Sequence, residues 1–182
     1  MQENPMPKTR KNTGVRAIAM LEADHRKVAG LFKRYEKSKS ESVKAKLAKQ
    51  ICLELSVHTS IEEELFYPAV AGTVDEDIHD EAYVEHDGAK NLIAELLEGS
   101  PEDDFFDAKV SVLSEMIKHH VKEEEQPGGL FSQARKDHID FEELARKMKV
   151  RKAELVAEMK SEGVPLPVTR SMKGVELEHS KP

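Results

Sequence analysis

A single cysteine, Cys52, stands in the chain of 182 residues, which excludes an intramolecular disulfide and any cysteine-rich zinc site. Its place in the apolar run ICLEL marks it as a buried structural thiol. Any metal must therefore be held by His, Asp or Glu. Positive charge is also in short supply: charged residues make up 35% of the chain, yet the net charge is −7, so no extended basic surface for nucleic acid or anionic lipid is expected. No stretch approaches the roughly 18 uninterrupted apolar residues of a membrane span. The opening MQENPMPKTRKNTG carries charge without the apolar core of a secretion signal. These absences predict one soluble, cytoplasmic domain with neither nucleic-acid nor membrane partners.

Glycine and proline punctuate the chain at wide intervals, and apolar residues between them recur at steps of three and four rather than two. The pattern is all-α. A first helix over 15–37 carries Ile18, Leu21, Val28, Phe32 and Tyr35 on one face, and Ser38 with Glu41 reads as a capping box. The second spans 41–71 with Leu47, Ile51, Leu55, Leu65 and Ala69 inward and Gly72 as its stop. The third covers 75–97 and the fourth 104–125, the latter broken by Pro127-Gly128-Gly129. A further helical stretch is predicted over 130–148 and a short one over 151–162, followed by an extended end. Four long helices with short connections imply an up-down-up-down four-helix bundle over 14–148, preceded by a flexible 1–13 and followed over 149–182 by a short helix and extended tail.

Four of the eight histidines fall on the apolar stripes of four different helices. His25 lies seven residues from both Ile18 and Phe32; His58 follows Leu55 by three; His86 precedes Ile93 by seven; His120 follows Leu113 by seven. Two of them are followed four residues on by a glutamate, His58 by Glu62 and His120 by Glu124. Residues four apart share a helical face, so an imidazole and a carboxylate can reach one metal or adjacent metals. The pairing alone is weak, since His119 with Glu123 and His138 with Glu142 also show it. The order is more telling: a single His followed by His-x-x-x-Glu occurs twice, at intervals of 33 and 34 residues.

The halves match beyond these positions. ADHRKVAGLF aligns with VEHDGAKNLI, and each His-x-x-x-Glu leads into a Leu-Phe pair, Leu65-Phe66 and Leu130-Phe131. Two hairpins related by a pseudo-twofold axis are expected, with a metal pair on that axis. Four imidazoles and two carboxylates in an apolar stripe are costly without compensation. Two divalent ions supply it, offset by two glutamates and a bridging hydroxide.

The order H…HxxxE…H…HxxxE resembles the hemerythrin family and its HHE cation-binding subgroup over about residues 15–135. The resemblance implies a non-haem di-iron centre with an oxo or hydroxo bridge, His25, His58, His86 and His120 as iron ligands and Glu62 and Glu124 as bridging carboxylates. It further implies binding of, or reaction with, oxygen, nitric oxide or peroxide for sensing, detoxification or iron and redox handling, without marking a dedicated enzyme. The sequence departs from oxygen carriers on the third helix, where the positions four away from His86 are Ala82 and Lys90 rather than histidine. Tyr83 or Glu81 is a candidate to fill that gap. The two or three extra residues at EEEQPGG leave open whether Glu123, Glu124 or Glu125 bridges. Of the other histidines, His79 is weighed as a lining residue, His119 as a flanking one and His138 as solvent-facing. Two other readings remain: a ferritin-like di-iron oxidase, using the Glu-x-x-His spacings Glu22/His25 and Glu76/His79, and a structural zinc or mixed-metal bundle.

Overall fold

The computed structural model describes residues 14–136 and 139–172, and every regular element among them is helical. The expected flexible segment 1–13, His138 and the last ten residues lie outside that range. Helices α1 (Gly14–Lys37), α2 (Glu41–Ile61), α4 (Glu76–Glu98) and α5 (Phe106–Glu125) form the up-down-up-down bundle. A π-helical turn (Glu62–Phe66) and α3 (Tyr67–Val70) prolong α2, and α6 (Leu130–Ala134) follows α5. Within the bundle α1 packs on α2 and α5, and α4 packs on α5 and α2. Helix α7 (Phe141–Glu162) lies outside it, against α1, α2 and the π-helical turn.

The interior consists of two apolar clusters. One is built from Ile18, Leu21, Val57, Ile61, Phe66, Phe131 and Met148 with their neighbours, the other from Val28, Phe32, Leu47, Ile51, Leu55, Ile93 and Leu113 with theirs. Each fully buried Leu, Ile or Phe contributes roughly 1.5–3 kcal/mol. The four inward histidines interrupt their stripes where one cluster gives way to the other, His25 between Leu21 and Val28, His58 between Leu55 and Ile61. The two Leu-Phe pairs meet as the repeat implies: Phe66 and Phe131 pack edge-on with ring centroids 5.5 Å apart.

The local structure departs from the pattern in four places. No Ser38–Glu41 capping box forms: Ser40 is the N-cap of α2, and its backbone N–H donates to Ser38 Oγ at 3.3 Å. Helix α5 starts at Phe106 because Phe105 adopts a left-handed φ of 67° that no helix continues through. The predicted 41–71 helix is not uniformly α-wound. Pro68 has no N–H to give the carbonyl four residues back, and the N–H of Tyr67 bonds instead to Glu62 O, five residues back. That wide turn rephases everything after it by one residue, about 100°, so Phe66, Tyr67 and Val70 enter the core and the expected Leu65 and Ala69 are only half-buried. Finally, the predicted stretches 130–148 and 151–162 are a five-residue helix and one long helix. Asp140 caps α7, its carboxylate accepting from the Glu143 N–H at 3.1 Å, and Phe141, Leu144, Met148, Leu155 and Met159 form one buried stripe through the predicted break.

Candidate metal centre

Four imidazoles and two carboxylates converge between the hairpins, all six residues buried. His25 comes from α1, His58 from α2, Glu62 from the head of the π-helical turn, His86 from α4, and His120 and Glu124 from α5. His25 and His58 face each other with Nε2 atoms 3.1 Å apart, as do His86 and His120 at 3.2 Å. Each carboxylate joins one pair to the other. Glu62 Oε2 lies 3.1 Å from His58 Nε2 and 3.3 Å from His86 Nε2; Glu124 Oε2 lies 3.3 Å from His25 Nε2 and 3.6 Å from His120 Nε2. Two overlapping groups able to hold a cation result, His25/His58/Glu62/Glu124 and Glu62/His86/His120, the ligand atoms within each lying within 4.8 Å of one another. The EEEQPGG segment thus places Glu124 inward. Glu125 turns to His25 and Glu123 accepts from Gln126, because α5 ends at Glu125 ahead of Pro127.

Carboxylates hold the outer face of the rings. Nδ1 of His25 lies 2.7 Å from Glu125 Oε1, that of His86 3.0 Å from Glu63 Oε1, and that of His120 2.8 Å from Glu85 Oε2. His58 Nδ1 has Asp24 Oδ2 at 3.6 Å. An acceptor at Nδ1 places the proton there and leaves the Nε2 lone pair pointing inward. The inner faces then carry lone pairs opposite lone pairs, while both Glu62 oxygens and Glu124 Oε2 accept no hydrogen bond. Buried carboxylates without donors are costly. A cation between these atoms removes both penalties, so the donor set fits a metal.

Without a cation the cluster retains protons. Burial, and then the charge of Glu62, raises the Glu124 carboxyl to about 8. Burial presses His58 downward, but Glu62 and Asp24 outweigh it and raise it to about 10. His25 falls to about 4, through burial and through the adjacent His58, since two imidazoles at this distance do not both carry charge. Burial alone would raise the Glu62 carboxyl, yet the facing His58 and His86 hold it well below the usual range.

Tyr67, absent from the sequence-based candidates, reaches the centre. Fully buried, it donates its hydroxyl to Glu124 Oε1 at 3.0 Å and has His86 Nε2 at 3.3 Å. Burial and the two glutamates push its phenol well above the ordinary value. It stands in the region where Tyr83 or Glu81 was expected. Tyr83 instead lies under the Arg170 guanidinium, 4.1 Å from its ring centroid, and Glu81 is solvent-exposed. His79 packs edge-on against Tyr67 and Tyr83, outside both cation-holding groups. His119 is 59% exposed beside Glu85. Glu22 pairs with Arg135 on the surface and Glu76 is exposed, so the ferritin-like spacings do not bring their glutamates to the centre. A narrow apolar pocket of about 10 Å³, lined by Val28, Leu55, Ala89, Ile117 and Val121, adjoins the four histidines. No helix among the described residues is long and apolar enough to cross a membrane.

A model of the hemerythrin HHE cation binding domain matches residues 16–134. A DNA nickase of Nostoc sp. is 30% identical over 106 residues, 58% of this chain; the chain spans only 30% of that relative's length. The crystal structure of a hemerythrin HHE cation binding domain-containing protein from Mycobacterium kansasii is similar with a TM-score of 0.66 and 22% identity, covering 82% of this chain and 95% of that one. At that identity the likeness speaks for the fold.

Proposed function

The chain belongs to the hemerythrin HHE cation-binding family, and on that premise we propose that it is a cytoplasmic non-haem di-iron protein that reacts with or senses a small molecule, oxygen, nitric oxide or peroxide. The observation that carries the proposal is the convergence of four inward Nε2 atoms with two carboxylates that each touch a histidine of both hairpins. His25 and His58 would hold one iron, His86 and His120 the other, and Glu62 and Glu124 would bridge. When bound, the iron pair supplies an open coordination position and electrons for the small molecule.

The chain's own residues set what can reach that position. The apolar pocket has about the volume of one water-sized molecule, which favours a diatomic or peroxide-sized ligand over an organic substrate. Tyr67 donates a hydrogen bond to the bridging candidate Glu124 from within the buried layer. The positions four away from His86, Ala82 and Lys90, offer no fifth histidine, which favours reaction over reversible storage. With a net charge of −7, the chain offers no extended basic surface for DNA, and the resemblance to the DNA nickase carries no action on DNA into this proposal. The test is to mix the reduced, iron-loaded protein with oxygen and follow its optical spectrum. Prompt conversion to the oxidised form supports the proposal; oxygen uptake that reverses on evacuation makes the protein a carrier and overturns it.

A further inference from the structure

Beyond the family-matched residues the chain returns to the centre. After α7, Gly163 turns with φ 93°, and residues 163–172 run without helix to α4. There the fully buried Asp87 receives them at a single oxygen. Its Oδ2 accepts from the backbone N–H groups of Arg170 at 2.8 Å, Ser171 at 2.5 Å and Met172 at 3.1 Å, and from the Ser171 hydroxyl at 2.7 Å. Arg170 covers Tyr83, and the Tyr83 ring lies 5.3 Å from that of Tyr67. Met172 Sδ takes a hydrogen bond from Asn91 at 3.6 Å.

The other oxygen of Asp87 faces the metal centre. Oδ1 accepts from Lys90 Nζ at 3.2 Å, and Lys90, only 7% exposed, also reaches both Glu63 oxygens, at 2.8 and 2.9 Å. Glu63 in turn holds His86 Nδ1 at 3.0 Å. One chain of charge-assisted hydrogen bonds therefore runs from the backbone of residues 170–172 through Asp87, Lys90 and Glu63 to His86. Buried charges of this kind hold their geometry only while every member is satisfied. Residues 170–172 supply four of the donors that satisfy Asp87.

We propose that residues 163–172 form a strap that fixes the His86 half of the centre, with Asp87 and Lys90 as positioning residues. Latched, the strap holds Lys90 and Glu63 so that the His86 Nε2 stays aimed inward. Released, it frees Glu63 to turn away from His86 and uncovers Tyr83. The metal arm of this inference rests on the di-iron reading; the strap itself does not.

The test uses the full chain with Asp87→Asn and, as a variant that leaves the bundle untouched, Met172→Pro, which removes one backbone donor and the thioether contact with Asn91 together. In the metal-free protein, trypsin should cut after Arg170 faster in both variants, and the His86 ring nitrogen resonances should move while those of His25 stay. In the metal-loaded protein, one of the two metals should pass to a chelator about tenfold faster in Asp87→Asn, the other at the wild-type rate. Faster cleavage with an unmoved His86, or cleavage unchanged in both variants, overturns the strap. A wild-type protein that binds no metal sinks the di-iron reading alone, because the His86 resonances still decide the strap.

Discussion

The two hairpins contribute equivalent residues to the centre but embed them differently. Asp24 and His25 correspond to Glu85 and His86, and His58, Glu62 and Glu63 correspond to His120, Glu124 and Glu125. The outer carboxylates follow the same rule in both halves: the acid before the single histidine serves the other histidine of its own hairpin, and the acid after the inner glutamate serves the facing hairpin. The symmetry ends past the glutamates. In the first hairpin the π-helical turn carries the chain on to Tyr67, which reaches across to Glu124; in the second, α5 stops and the corresponding residue is the half-buried Ser132. Tyr67 thus serves Glu124 alone, while Glu62 faces His58 and His86; burial and the charge of Glu62 raise the Glu124 carboxyl to about 8. The backing differs too. Lys90, which braces Glu63, is buried, while Arg26, which braces Glu125, is 62% exposed. A repeated ligand layer therefore offers two unequal metal positions.

The largest effect should come from removing what both positions share. Glu62→Ala is expected to abolish metal retention, while Glu64→Ala, which takes away only a surface partner of Arg151, leaves it intact; metal content after desalting decides. Equal losses at Glu62, Glu63 and Glu64 would mean that the π-helical turn is misphased. Next in size is a pH effect that separates the two glutamates. In the metal-free protein Glu124, raised to about 8, keeps a proton that Glu62, held low, does not. A carboxyl pKa raised above its unfolded value favours the protonated folded form, and His58, raised to about 10, keeps a proton as well, so metal uptake must expel both and weakens as pH falls below 10, more steeply below 8, by about tenfold per pH unit for each proton released. The protonated-carboxyl infrared band should vanish in Glu124→Gln and survive in Glu62→Gln; the reverse result would exchange the roles of the hairpins.

The outer carboxylates sharpen the comparison further. Glu63→Gln and Glu125→Gln should each weaken metal binding by about 10–100-fold, with Glu63 the worse because it leaves the buried Lys90 short of a partner while Arg26 returns to water. Equal losses would indicate equivalent positions. The smallest effects concern how the hairpins end. A Cβ at Gly129 would lie 2.1 Å from the Glu123 carbonyl oxygen, so Gly129→Ala should destabilise the fold by about 1–3 kcal/mol. At Gly72 the surroundings are open and only the φ of 81° resists a side chain; Gly72→Ala should cost about 1 kcal/mol. Thermal unfolding orders the two, and a larger loss at Gly72 would contradict the tight closure after α5.

Helical periodicity was enough to locate the bundle and to turn His25, His58, Glu62, His86 and His120 inward, because burial on one face of one helix is what a periodic pattern records; the choice of Glu124 over Glu123 and Glu125 stayed open in the sequence, and it is the end of α5 at Glu125 that turns Glu124 to the centre. Tyr67 escaped it for a local reason. In an unbroken α-helix it lies nine residues past His58, half a revolution away, and only the π-wound turn brings it round; Pro68 was the available signal. The outer carboxylates escaped because each serves a histidine on another helix, although the repeated Asp24-His25 and Glu85-His86, Glu62-Glu63 and Glu124-Glu125 pairs carried the hint. Helix α7 was divided in two despite Asp140 and Glu143 standing at capping spacing ahead of a continuous stripe. Contacts across the length of the chain, such as Ser171 with Asp87, leave no mark in local pattern at all.

The central claim is a pair of irons in two inequivalent places, and metal analysis of protein purified with iron available, read together with its optical spectrum, tests it most directly. The account predicts close to two irons per chain and ligand-to-metal absorption in the oxidised protein. A content near one zinc per chain, with no such absorption, would contradict it.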